Sequence, residues 1–110
     1  MNSQLYSPEN ETVLLEAFGR TPELRLIDFF MDNMLFDFTR GEIIEALGMN
    51  KRTLYRTLPK LEEMNVVEVS RKIEKAKLYK VNRESTIVAC LRSIEKELSL
   101  KELSLGRQEA

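Results

Sequence analysis

Histidine is absent from the 110 residues of this chain, and cysteine occurs once, as Cys90. Those two shortages remove much enzymology. The usual zinc-ligand sets and every histidine-based triad need residues that are not there, and one thiol cannot close an internal disulfide. Also missing is any apolar run near the roughly 20 residues that a membrane-spanning helix requires. The first residues, MNSQLYSPENE, lack the basic region and apolar stretch of a signal peptide. The chain is therefore expected in the cytoplasm and off the membrane, with no metal or other cofactor. No nucleophile stands with a base, and Glu42, Glu45, Glu62 and Glu63 fall where solvated or capping acids belong, so no catalytic residue and no enzymatic activity are expected.

What is present is an ordinary globular composition, 43% hydrophobic and 32% charged, which is too apolar for a disordered chain. The length suits a single domain over residues 1–110 with one modest core. Net charge is −1, which taken alone argues against a nucleic-acid binder. The average conceals a division. Residues 48–83 hold ten basic side chains and four acidic ones, a surplus of +6, and the rest of the chain carries −7. Such a dipolar chain can offer a positive face to phosphates while staying near neutral; scattered, solvated charges would give the same count.

Helix punctuation is legible. Ser7-Pro8-Glu9 and Thr21-Pro22-Glu23 each supply a capping hydroxyl, a proline for the first helical position and an acid favoured by the helix dipole. One helix is expected from about Pro8 to Phe18, burying Val13, Leu14, Ala17 and Phe18 and ending on a left-handed Gly19. A second is expected over 22–35. Its apolar residues Leu24, Leu26, Ile27, Phe29, Phe30, Met31, Met34 and Leu35 cover more than one stripe, which implies a central place in the core combined with a face for a partner. Asp37-Phe38 is a short extended link.

From Thr39 the pattern tightens. Thr39-Arg40-Gly41-Glu42 is a capping box that starts a third helix, burying Ile43, Ala46 and Leu47 and stopping at Gly48. Met49 plugs the corner, and Asn50 caps a fourth helix with apolar Leu54, Leu58, Leu61 and Met64. At about 100° per residue, Arg52, Arg56 and Lys60 fall on the opposite face, with Thr53 and Pro59 beside them and Lys51 and Tyr55 flanking the stripe. Cations at such spacing on the outward face of the second helix of a pair suit the major groove. Pro59 removes a hydrogen bond to the Tyr55 carbonyl and predicts a kink or break. Asn65, after glycine, is best able to take a left-handed turn. Alternation then marks Val66, Val67 and Val69 as a buried strand and Leu78, Tyr79 and Val81 as its partner, with the turn inside 71–77.

The run EIIEALGMNKRTLYRTLPKLEEMNVV, followed by VEVSRKIEKAKLYKVN, resembles archaeal winged helix-turn-helix transcription regulators of the ArsR and MarR types. The resemblance covers nearly the whole chain. It implies a mainly α (α+β) fold: N-terminal helices over 8–36, a helix-turn-helix over 39–65, a wing hairpin over 66–82 and a long C-terminal helix over 84–105. By the resemblance, the segment from Asn50 to about Asn65 is the recognition helix, and the implied activity is sequence-specific binding of double-stranded DNA. Lys51, Arg52, Thr53 and Arg56 are then the expected groove contacts, with Tyr55 and Lys60 on phosphates. The basic loop residues Arg71, Lys72, Lys75 and Lys77 would reach phosphates or an adjacent minor groove; as a structural alternative, lysines there protect an edge hairpin from aggregation. No cysteine or histidine cluster like that of the metal-sensing repressors is present, which argues against a transition-metal effector. No small-molecule effector is identifiable.

After a helix start at Arg83-Glu84-Ser85-Thr86, apolar residues recur at Ile87, Leu91, Ile94, Leu98 and Leu105, interrupted by Lys101, with Val88, Leu100 and Leu103 off that line. This helix either pairs with its counterpart in a second subunit through Ile87, Leu91, Ile94 and Leu98, or folds over the first two helices. Dimerisation is the preferred expectation, because a two-fold dimer matches two half-sites of an operator. Cys90 is expected as a small core residue, and residues 106–110 are expected to fray. The competing function is a winged-helix module for protein–protein contact, working through the apolar second helix and the terminal helix.

Overall fold

The computed structural model describes the backbone of residues 12–109 and the side chains of residues 12–101. In chain order these form α1 (Val13–Phe18), α2 (Pro22–Asp32), α3 (Arg40–Leu47), α4 (Lys51–Glu63), β1 (Val67–Ile73), β2 (Ala76–Val81) and α5 (Thr86–Glu109). The result is an α+β globule with one two-stranded antiparallel sheet. Among the described residues no helix is long and apolar enough to cross a membrane.

Helix α2 is the centre of the core. Thr21 caps it by accepting from the Leu24 N–H at 3.1 Å, and Pro22 fills its first position. Its residues 26–31 are all buried. A face for a partner, expected from the width of its apolar surface, is therefore not left over. The helix ends at Asp32, three residues short of expectation, because Asn33 turns its side chain back and donates to the Phe29 carbonyl at 2.8 Å. Leu35 consequently lies outside the helix and is 78% exposed.

Two expectations for α1 are corrected. Leu14 and Leu15 are its buried residues, whereas Ala17 and Phe18 face solvent. Gly19 adopts φ 97°, ψ 173°, a region that glycine alone enters readily, in place of the left-handed helical cap. The start expected at Ser7-Pro8-Glu9 lies outside the described residues.

The pair α3–α4 forms as its punctuation dictates. The Glu42 N–H donates to Thr39 Oγ1 at 3.1 Å, and the Thr39 N–H donates to Glu42 Oε1 at 2.8 Å. Gly48 is left-handed at φ 61°, which reverses the chain so that the buried Met49 seals the corner. Asn50 Oδ1 then accepts from the Arg52 and Thr53 N–H groups at 2.7 and 3.3 Å. Ile43, Ala46 and Leu47 from α3 meet Leu54, Leu58 and Leu61 from α4 in the same core as α2.

Pro59 does not interrupt α4, which runs unbroken to Glu63. Its ring is exposed, so the missing donor falls on the solvent side, where an unbonded carbonyl costs little. The helix ends in a Schellman arrangement. Asn65 is left-handed at φ 61°, its N–H donates to the Glu62 carbonyl, and the Val66 N–H donates to the Leu61 carbonyl. Met64, expected in the core, is 40% exposed because the turn carries it outward.

The hairpin is longer and its turn tighter than the residues suggested. Glu74-Lys75 alone joins the strands, with Glu74 at φ 56°. Val67 and Val81 pair inside the core, but Val69 is 39% exposed although its partner Tyr79 is buried. A bulge between Val69 and Arg71 leaves Ser70 without a cross-strand partner. At its base the ribbon is tied down by Phe38, which exchanges two backbone hydrogen bonds with Tyr79, each 2.8 Å.

Ser85 caps α5, its Oγ accepting from the Val88 N–H at 3.2 Å. Val88 is buried and Leu91 packs against the core, so the first turns of α5 fold onto the chain's own body, chiefly beside α1. Position 90 lies about 200° round the helix from 88. Cys90 is accordingly exposed and is not the core residue expected. The helix continues through Gly106 to Glu109, past the expected end at 105.

Candidate nucleic-acid interface

The buried side of α4 consists of Leu54, Thr57, Leu58 and Leu61. This fixes the opposite side, on which Arg52 and Arg56 are exposed. Neither is engaged in an ion pair among the described residues. An arginine held on a rigid helix with its five donors unspent is suited to a bidentate acceptor such as a guanine edge or a phosphate.

Lys51 and Tyr55 lie to one side of that stripe. The Tyr55 ring is the contact surface of two cations: the Lys51 ammonium sits 5.4 Å from its centroid and the Arg40 guanidinium 4.7 Å. Arg40 is also 5.8 Å from the Tyr79 ring, on the hairpin. Arg40, Tyr55 and Tyr79, together with Pro59, Glu62 and Lys77, line a recess of about 200 Å³ between α4 and the hairpin. Arg40 was missed in the sequence, although a signal exists. It occupies the first position of α3, where the helix dipole disfavours a cation.

Lys60 lies on the other flank and is not free. Its Nζ is 2.7 Å from Glu23 Oε2 in α2. The Glu23 carboxyl is held below its ordinary range, first by that hydrogen bond and in smaller part by the nearby charge of Arg56. Thr53 is half-buried at the start of the helix.

The four cations expected to contact phosphates from the hairpin also divide. Lys72, Lys75 and Lys77 are exposed, and Lys72 stands directly across the ladder from Lys77. Like charges in that relation are destabilising unless an anion lies between them. Arg71 is occupied. Its Nε is 2.8 Å from Asp37 Oδ2 and its Nη2 is 3.2 Å from Oδ1, while Ser70 Oγ donates to Oδ2 at 2.5 Å. The bulge explains the triple contact, since it turns Ser70 and Arg71 together toward the link before α3.

The chain matches no protein-family model, no curated protein and no solved structure. The exposed surface must therefore speak for itself.

Asp37 provides a measurable check on this geometry. The Arg71 hydrogen bonds, followed by that of Ser70, lower its carboxyl from an ordinary 3.8 to about 2. A depressed carboxyl contributes stability that is complete above its unfolded value and is lost as pH falls through the folded one. Between about pH 5 and pH 2.5 the thermal midpoint of the wild type should thus drop further than that of Asp37→Asn, as followed by circular dichroism. Parallel acid profiles would show that the triple contact does not persist in solution.

Proposed function

We propose that the protein is a winged helix-turn-helix regulator that binds double-stranded DNA as a homodimer. In this reading α4 enters the major groove, the hairpin is the wing, and Arg52 and Arg56 make the principal contacts. The observation that carries it is the pair of unengaged arginines on the outward face of a helix whose inward face is fully committed to the core. Lys72 and Lys77 add support, because two ammonium groups set directly across a ladder repel each other unless an anion lies between them. Lys51, Thr53 and Tyr55 flank the reading face, and Lys75 sits at the wing tip.

The dimer proposal rests on α5. At 24 residues it is about 36 Å long, and beyond its first turns it leaves Ile94 39% and Leu100 54% exposed. Ile87, Leu91, Ile94 and Leu98 lie along one line of the helix; Leu91 is partly taken by the chain's own core, and a second copy is a natural cover for the exposed Ile87 and Ile94.

A contact module without DNA binding is favoured by one observation, the exposed pair Leu35 and Phe36, 78% and 61% accessible. The apolar surface of α2 itself is spent in the core and cannot serve that role.

Electrophoretic mobility and fluorescence anisotropy with random-sequence duplex DNA, alongside the mass in solution, test the proposal. Binding is expected at low salt and should weaken steeply as salt rises, because phosphate contacts release counterions. A dimeric mass is expected that Ile94→Glu reduces to monomer. Salt-independent association, or none at low salt, would sink the DNA reading, and a monomeric wild type would sink the dimer.

A further inference from the structure

Two cations that phosphate would be expected to take are already held by acids of the same chain, one from the start of α2 and one from the link that follows it. Glu23, its second residue, holds Lys60 at 2.7 Å. Asp37, in the link that follows, holds Arg71 by two parallel hydrogen bonds. The second pair is the more telling. An arginine meets a carboxylate and a phosphodiester with the same fork of donors, so Asp37 fills the position that a DNA phosphate would fill. The carboxylate side chain is itself 19% exposed against 59% for Arg71, so the acid is anchored and the cation is the accessible partner. The Asp37 contact stabilises the fold and the exposed Lys60–Glu23 pair adds little, but stability alone does not require that the cations so held be those on the DNA-facing surface.

We infer that Asp37 is a specificity-determining residue that acts as an internal stand-in for phosphate, holding Arg71 out of sequence-independent DNA binding; this rests on the DNA reading above. A duplex that docks must displace a carboxylate to gain the Arg71 contact. The exchange of one anion for another yields little net attraction, whatever the base sequence. Arg52 and Arg56 carry no such restraint, so the contribution of base reading to total affinity rises as that of the backbone falls. Glu23 plays the same part for Lys60 through a more exposed and weaker pair.

The test is anisotropy with a labelled random-sequence duplex, titrated at several salt concentrations with the full chain. Asp37→Asn should bind that duplex more tightly, on the order of fivefold at about 0.1 M salt, with a log–log salt slope steeper by about 0.9, the increment expected for one added phosphate contact. The double variant Asp37→Asn/Arg71→Gln removes the pair without changing net charge and should return to within about twofold of the wild type. Overturning results are an Asp37→Asn protein, folded by circular dichroism, with unchanged or weaker binding, or a double variant that loses the affinity of a full phosphate contact. The second result stands even where the single variant folds poorly. If the wild type binds and Asp37→Asn does not tighten it, the inference fails alone; if neither binds at low salt, it fails together with the DNA reading.

Discussion

Replacing Arg52 and Arg56 together with alanine should lower affinity for a selected DNA site by on the order of a hundredfold or more, since each well-placed bidentate contact to a base contributes about 1–3 kcal/mol of discrimination. Both arginines lie on the side of α4 opposite Leu54, Leu58 and Leu61. Their removal takes nothing from the core, and the thermal midpoint should stay close to that of the wild type. Two outcomes separate two roles. If the selected site and a random duplex weaken by the same factor, the arginines meet phosphates and set affinity alone. If the selected site weakens far more, they read bases. Lysine replacements at both positions sharpen the distinction, because an ammonium keeps the charge but lacks the planar fork. Unchanged binding by the alanine pair would remove α4 as the DNA-contacting element.

The largest effect on stability is expected from Phe29→Ala. Phe29 is fully buried in α2, with its ring 5.5 Å from that of Phe30 and 4.8 Å from that of Phe38. Deleting a buried phenyl ring typically costs about 3–5 kcal/mol, the loss of transfer energy added to that of the cavity left behind. Small domains hold only about 5–15 kcal/mol in total, so this variant should sit near the edge of folding. Chemical denaturation read by circular dichroism gives the measurement. Phe29 also supports Phe38, which bonds to the base of the hairpin, so the loss should reach the sheet as well as the helices. A cost below about 1 kcal/mol would contradict the packing described, given what buried aromatic rings ordinarily contribute.

The elements that could be read in advance are those in which a local chemical rule and the core demand agree. Thr39 with Glu42, Gly48, and Asn50 mark boundaries by backbone hydrogen bonds that each residue can make by itself, and the structure has every one of them. Ile43, Ala46, Leu47, Leu54, Leu58 and Leu61 were legible because periodicity and burial coincide on short helices. The misses share a different cause. Ala17, Phe18 and Met64 are apolar residues at element ends, and whether an end is covered depends on where another element passes; Val69, inside β1, is left partly open on the ribbon. Cys90 faces outward because Val88 is the residue that takes the core position, a choice between two faces of α5 made by its packing beside α1. Pro59 was expected to break a helix that in fact tolerates it, since the break would matter only on the buried side.

The candidate site was legible in part for the same reason. Outward cations on α4 follow from periodicity alone. That Lys60 and Arg71 are engaged does not, because Glu23 and Asp37 are 37 and 34 residues away in the chain, and ion pairs at that separation carry no local pattern. Arg40 shows in the sequence as a misplaced cation at the start of α3, but its role becomes visible only when the turn of the chain brings Tyr55 and Tyr79 around it.

The bridge between Phe38 and Tyr79 divides the hairpin into two mechanical parts. At its base, β2 is bonded to β1 on one side and to the interhelical link on the other, so this part moves as one body with α2 and α3. Beyond Arg71, which Asp37 still holds, the ribbon has no second support among the described residues, and Lys72, Lys75 and Lys77 ride on its outer half. On the proposed DNA reading, the tip follows a groove of varying width while α4 is presented at a fixed angle, so adaptation to the partner and accuracy of reading fall to different parts of the molecule.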